Sequence, residues 1–179
     1  MTNTFYKFSG IGLLSGIINA CVYWILSINA DNFAPFFVFF LAGITYGFMT
    51  IPLFRFRSHT AIFLWLLTTT ASYAIAVQVA VRFSDGGDLG ISGPSLLGFA
   101  YGGFIGSAIL SLGLHFLLQK MKAWQHLSFI LLGTFVPALL MSIIHVESDI
   151  FPIALLYIVW QTSITILIYY MLFLDRDTK

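Results

Sequence analysis

The stretch Gly98–Lys120 reads "GFAYGGFIGSAILSLGLHFLLQK", and its first charged residue is Lys120. Taken as an α-helix rising about 1.5 Å per residue, its uncharged part is about 33 Å long, enough to cross a hydrocarbon core of about 30 Å. At about 100° per residue, Gly98, Gly102, Gly106 and Gly113 share one side, a smooth strip on which another backbone can lie closely. Ser107, Ser111 and His115 share nearly the opposite side. Lipid needs neither a groove nor hydrogen bonds, so both sides are expected to face protein or a site. This predicts an interior transmembrane helix.

Composition carries the same reading to the whole chain. Of 179 residues, 59% are hydrophobic and 8% charged, with a mean hydropathy of +0.95. Soluble domains carry about 25% charged residues, so the chain is expected to be an all-α, multi-pass membrane protein. The net charge of +1 supplies no basic field, which excludes a nucleic acid partner. A lone cysteine, Cys21, rules out an internal disulfide framework and a CxxC redox centre, and is expected to be a small packing residue.

Polar punctuation divides the chain into six apolar spans, near residues 8–28, 33–54, 60–81, 94–118, 127–145 and 150–174. The first is read as a retained helix, since no small-residue cleavage site with a soluble region follows it. Pro94 and Pro152 fall where a first-turn proline is tolerated, after Ser92 and Asp149 as caps. Short linkers predict one compact six-helix domain over 1–179. The formal charges lie outside the spans or at their ends. Lys7, Arg55, Arg57, Lys120, Lys122, Arg176 and Lys179 gather on one side, against Arg82 on the other. The positive-inside rule then places both termini in the cytoplasm, with a bacterial inner membrane as the expected location. Trp24, Trp65, Trp124, Tyr169 and Tyr170 are read as interfacial anchors.

Two triplets of helices have opposite topologies, which permits a 3+3 inverted pseudo-repeat. The first helix of each half is glycine-rich ("GIGLLSGIINA" from Gly10, "GFAYGGFIGSA" from Gly98). The third has a polar middle ("TTTASY" at 68–73, "QTSIT" at 161–165).

No Asp, Glu, Lys or Arg lies at mid-membrane depth, which argues against a proton pump, a carboxylate antiporter or an intramembrane metalloprotease. HExxH, Walker A and GxSxG patterns are missing, and no histidine shares the depth of Ser107. The chain is therefore not expected to be an enzyme or to hold a cofactor or metal. His59 and His126 are read as solvated linker residues, and His115 as lying at the cytoplasmic boundary. His145, Glu147 and Asp149, with Asp85 and Asp88 on the same side, are compatible with a divalent cation, although such residues are also ordinary turn formers.

The positive feature is neutral polarity at mid-depth. Asn19, Thr69, Tyr73, Ser107, Ser111, Gln161 and Thr165 are the candidate ligand-binding residues. Two readings are open: interhelical hydrogen bonds that only hold the bundle, or the wall of a site for a neutral solute. Gly12, Gly16, Gly98, Gly102, Gly106 and Gly113 are the expected helix-packing positions. Pro137, with Gly133 one turn earlier, is expected to kink the fifth span and serve as a hinge.

In size, topology and the spacing of Gly12, Gly16 and Ala20, the chain resembles the substrate-capture subunits of energy-coupling-factor vitamin transporters. Those dock a partner through small residues on their first helix; the ligand signature of that family is missing here. The expected function is a small-solute transporter or the substrate-binding membrane subunit of one. The alternative is a non-catalytic structural or regulatory subunit of a larger membrane complex. Expected partners are the bilayer, a neutral small molecule, and another membrane protein or a second copy through the small-residue faces.

Overall fold

A computed structural model describes residues 2–29, 35–54, 56–84, 96–117, 121–143 and 150–173, and among these there is no strand. The helices are α1 (Thr2–Asn29), α2 (Pro35–Thr50), α3 (His59–Ser84), α4 (Leu96–Leu117), α5 (Ala123–Ile143) and α6 (Ile150–Phe173). Five are long and apolar enough to cross a membrane: α1, α3, α4, α5 and α6. The shorter α2 has 16 residues and runs into a single 3₁₀ turn, Ile51–Leu53. Together they reach about 30 Å at the usual rises.

The α2 ending has a local cause. Pro52 has no N–H to continue the α-helical ladder and its ring crowds the preceding turn. The chain tightens instead, and the N–H of Phe54 donates to the Ile51 carbonyl at 3.1 Å. Thr50 stabilises the same turn: its hydroxyl is shared between the carbonyls of Tyr46 (2.8 Å) and Gly47 (3.0 Å). It also accepts from the Trp65 indole at 3.0 Å, tying α2 to α3. Two other helices start with side-chain caps. Ser58 accepts from the Ala61 N–H ahead of α3, and Gln125 reaches back to the Lys122 N–H at 2.8 Å ahead of α5.

Each helix packs on its neighbours in the chain, and α6 returns to α1, so the six close a ring. Neighbours are antiparallel where paired positions can be followed. Gly12 meets Thr165 and Gly16 meets Ile158, while Gly102 meets Ala76 and Gly113 meets Thr68. Phe5 and Phe8 of α1 pack on Tyr169 of α6, with ring centroids 5.4 and 5.6 Å apart. The Lys7 amine donates to the Pro52 carbonyl at the same end, at 3.5 Å. The start of α1 and the end of α6 therefore share one end of the ring.

Inside the ring lie Phe8, Tyr46, Trp65, Leu110, Phe129 and Ile164, each almost wholly buried. Outside it Leu13, Ile17, Phe48, Phe63, Phe104, Phe116, Phe135 and Leu139 are exposed, an apolar coat suited to acyl chains. Trp24 and Trp124 are exposed as expected of interfacial anchors. Trp65 and Tyr169 are not. Both are buried in the core, because each lies on the inward face of its helix and Trp65 finds a partner for its indole N–H there.

Candidate functional site

The closest helix contacts are made at glycines. A Cβ added to Gly16 would fall 2.5 Å from the Ile158 Cα, and one on Gly12 2.9 Å from the Thr165 Cβ. The α1 glycines thus lie against α6 of the same chain. Gly102 and Gly106 lie against Ala76 of α3, Gly113 against Thr68, and Gly98 is buried as well. Gly43 and Gly47 make an equivalent strip on α2 facing α3, with an added Cβ at Gly43 2.6 Å from the Thr70 Cα. Gly103 of α4 meets the Gly133 carbonyl of α5, and Pro137 sits beside the same crossing. The proposed hinge residues therefore lie where α4 and α5 touch backbone to backbone.

Ser107 and Ser111 lie on the side of α4 that faces α5. Ser107 packs on Gly133, and its buried hydroxyl has no hydrogen-bond partner. The Ser111 hydroxyl donates to the Ala108 carbonyl at 2.9 Å and lies 3.2 Å from His126 Nδ1. His126 in turn places Nε2 3.1 Å from His115 Nδ1, which also accepts from the Met121 N–H at 3.0 Å. His126 is thus not a solvated linker residue. It stands in the first turn of α5, half-buried, and joins His115 in fastening the α4–α5 turn. The expected spans separate the two histidines, because α5 begins four residues before the span expected from 127 and so carries His126 in its first turn. Among the described residues no three His, Cys, Asp or Glu side chains come together as a metal site. Asp85, Asp88, His145, Glu147 and Asp149, with Ser92 and Pro94, lie outside the described residues.

The other candidates converge between α1, α2, α3 and α6. Asn19 of α1 donates from Nδ2 to the Ala42 carbonyl of α2 at 3.2 Å, one turn before Tyr46. The Tyr46 hydroxyl lies 3.2 Å from Thr165 Oγ1 of α6. Since Thr165 gives its own proton to the Gln161 carbonyl at 2.7 Å, Tyr46 is the donor. The Tyr46 ring packs on Tyr73 of α3, with centroids 5.9 Å apart. Tyr73 lies nearly parallel to Tyr157 of α6 (6.4 Å, 18°) and edge-on to Trp160 (5.0 Å, 86°). The Gln161 amide is near the Tyr73 hydroxyl without completing a hydrogen bond to it. Thr69, by contrast, turns its hydroxyl back to the Leu66 carbonyl at 3.0 Å and packs on Gly47.

Hydrogen-bond accounting sets this cluster apart. Gln161 is fully buried, and neither its amide oxygen nor its amide nitrogen has a partner. The same holds for Asn19 Oδ1, the hydroxyls of Tyr73 and Tyr157, the Trp160 indole N–H, and the Ser15 hydroxyl of α1. Buried polar atoms are nearly always paired, since leaving one unpaired costs about 1–3 kcal/mol. Seven of the nine such atoms among the described residues belong to these side chains of α1, α3 and α6; the other two are Ser107 Oγ and Gln125 Nε2. Tyr157 and Trp160 do not stand out in the sequence, where aromatic residues in an apolar run read as core. The available signal is that Tyr157, Gln161 and Thr165 recur every four residues and so share one face of α6.

Fold and site together define the class: an all-helical bundle of membrane-crossing character with a buried, uncharged polar–aromatic cluster. Comparison with protein families, with curated proteins and with solved structures yields no match.

Proposed function

We propose that this chain binds a small uncharged solute at mid-membrane depth, as a small transporter or as the solute-binding membrane subunit of one. The observation that carries the reading is the set of buried polar atoms on Asn19, Tyr73, Tyr157, Trp160 and Gln161 that the protein itself leaves unpaired. A cluster that served only to join helices would pair its members, as Tyr46 and Thr165 do. Transporter sites of this type lie at mid-depth between helices.

Under this reading both termini are cytoplasmic, in a bacterial inner membrane, as the bias of Lys and Arg toward one side suggests. The pairing of α1 with α6 and of α4 with α3, each through glycines, is what a two-fold relation between α1–α3 and α4–α6 would produce. It supports a 3+3 inverted repeat. The Gly103–Gly133 crossing beside Pro137 then supplies the pivot about which one set of helices rocks on the other. Active uptake would draw on a solute gradient or a separate energising subunit, because the sequence has no Walker A motif.

A thermal-shift screen of the purified protein in detergent tests the proposal. A saturable rise in melting temperature with a sugar, nucleoside, vitamin or amino acid is expected. Silence across such a panel, together with co-purification of a stoichiometric partner, would instead favour a structural or regulatory subunit.

A further inference from the structure

The polar groups of the cluster restrict what it can recognise, and this inference rests on the solute-binding reading above. Its unpartnered atoms are balanced in kind. The Trp160 N–H and Gln161 Nε2 are donors, Asn19 Oδ1 and Gln161 Oε1 are acceptors, and the hydroxyls of Tyr73, Tyr157 and Ser15 serve as either. An anion would call for donors alone, and a cation for acceptors or a carboxylate. No Asp, Glu, Lys or Arg occurs near these positions on their helices. The occupant must therefore be neutral and carry both donors and acceptors.

The aromatic members narrow it further. They pack on one another, Tyr73 and Tyr157 nearly parallel and Trp160 edge-on to Tyr73, so a flat occupant would extend this stack rather than enter between its rings. Ring faces attract flat π-systems, whereas a polyol needs polar partners in every direction around it. The amide of Gln161 presents one acceptor and one donor in a single plane. That is the pattern by which glutamine and asparagine read the edge of a nucleobase with two parallel hydrogen bonds.

We infer that the cluster around Gln161 recognises a flat, uncharged ring whose edge carries neighbouring N–H and C=O groups. Gln161 pairs with that edge, Asn19 Oδ1 accepts from a further N–H, and the Tyr157 hydroxyl donates to a second C=O.

The test uses the full chain in detergent or nanodiscs, with melting temperature and intrinsic tryptophan fluorescence as readouts. The probes are three flat rings of increasing size (uracil, nicotinamide and lumichrome), two polyols (glucose and myo-inositol), and the charged controls choline and acetate. Binding of at least one flat ring is expected, with Kd raised tenfold or more in Gln161→Leu. Tyr157→Phe removes only an unpartnered hydroxyl and serves where Gln161→Leu fails to fold; a severalfold loss of affinity is expected there. Flat-ring binding that neither variant weakens overturns the assignment of the site. Binding of polyols without flat rings overturns the inferred solute class and leaves the solute-binding reading standing, whereas binding of the charged probes alone overturns both. Silence toward every probe overturns both.

Discussion

The seam between α3 and α4 and the seam between α1 and α6 are built on the same plan and furnished differently. Each joins antiparallel helices, and in each a row of glycines lets backbones come close. Along α3–α4 the polar groups are small and find partners. Ser72 donates to the Gly106 carbonyl across the seam at 2.7 Å, and Thr68 turns back to the Leu64 carbonyl at 2.8 Å. Along α1–α6 the polar groups are larger and reach past the glycine contact into the ring, where Gln161, Tyr157 and Trp160 remain unpaired. A short hydroxyl side chain such as Ser72 or Thr68 can bond to its own helix or to the neighbouring backbone, whereas the Gln161 amide and the Tyr157 phenol, on longer arms, reach past the backbone and find no partner. The first seam is thus complete in itself, and the second is complete only at its glycines.

The largest effect should come from breaking a seam outright. Gly103→Leu drives a side chain into the Gly133 carbonyl and Gly102→Leu into that of Ala76, and neither backbone can yield locally. A loss upwards of about 3 kcal/mol is expected, read as disappearance of monodisperse protein in detergent. Gly10→Leu is the matched control: an added Cβ there meets nothing within 4 Å, and yield should be unchanged.

A smaller effect of opposite sign should mark the open seam. Gln161→Leu removes two unpaired buried polar atoms, so the unliganded melting temperature should hold or rise, by about 1 kcal/mol in stability. Stabilisation by solute should vanish at the same time. A purely structural Gln161 would show the reverse, a fall in melting temperature with no effect on any ligand. The smallest effect belongs to the closed seam. Ser72→Ala removes one satisfied bond and should cost about 0.6 kcal/mol in a reversible unfolding assay, with solute affinity unmoved. A cost several times larger would mean that the α3–α4 polar groups also contribute beyond packing.

The extent to which this could be read from sequence follows the range of each signal. Apolar runs with charged ends are local, so the six helices and the glycine strip of α4 stand out in the letters. Which neighbour covers a helix face is not local. Helical spacing puts Ser107 and Ser111 on the side of α4 opposite its glycine strip, and that side meets Gly133 and His126 of α5 rather than the Gln161 cluster. The "GITYG" strip at 43–47 carries the same four-residue glycine spacing, but one such pair in a short apolar run does not say which helix covers it. Trp65 looked interfacial by its distance from the span end; its burial depends on Thr50, a partner on another helix. Gln161, Thr165, Tyr73 and Asn19 were legible because a polar side chain in an apolar helix is conspicuous. Tyr157 and Trp160 were not, since only their unpaired polar atoms distinguish them from ordinary core.

The closure of the ring by α6 on α1 has a consequence for how the protein is made. At ribosomal rates of about 5–20 residues per second, α1 enters the bilayer on the order of ten seconds before its partner helix has been synthesised. Gly12 and Gly16 spend that interval facing lipid or α2, while the amide of Asn19 waits only for α2, whose Ala42 carbonyl it bonds. Until the last helix arrives, the nascent protein is an open horseshoe with a bare glycine edge, the form most exposed to mispairing with a second chain and to membrane proteolysis.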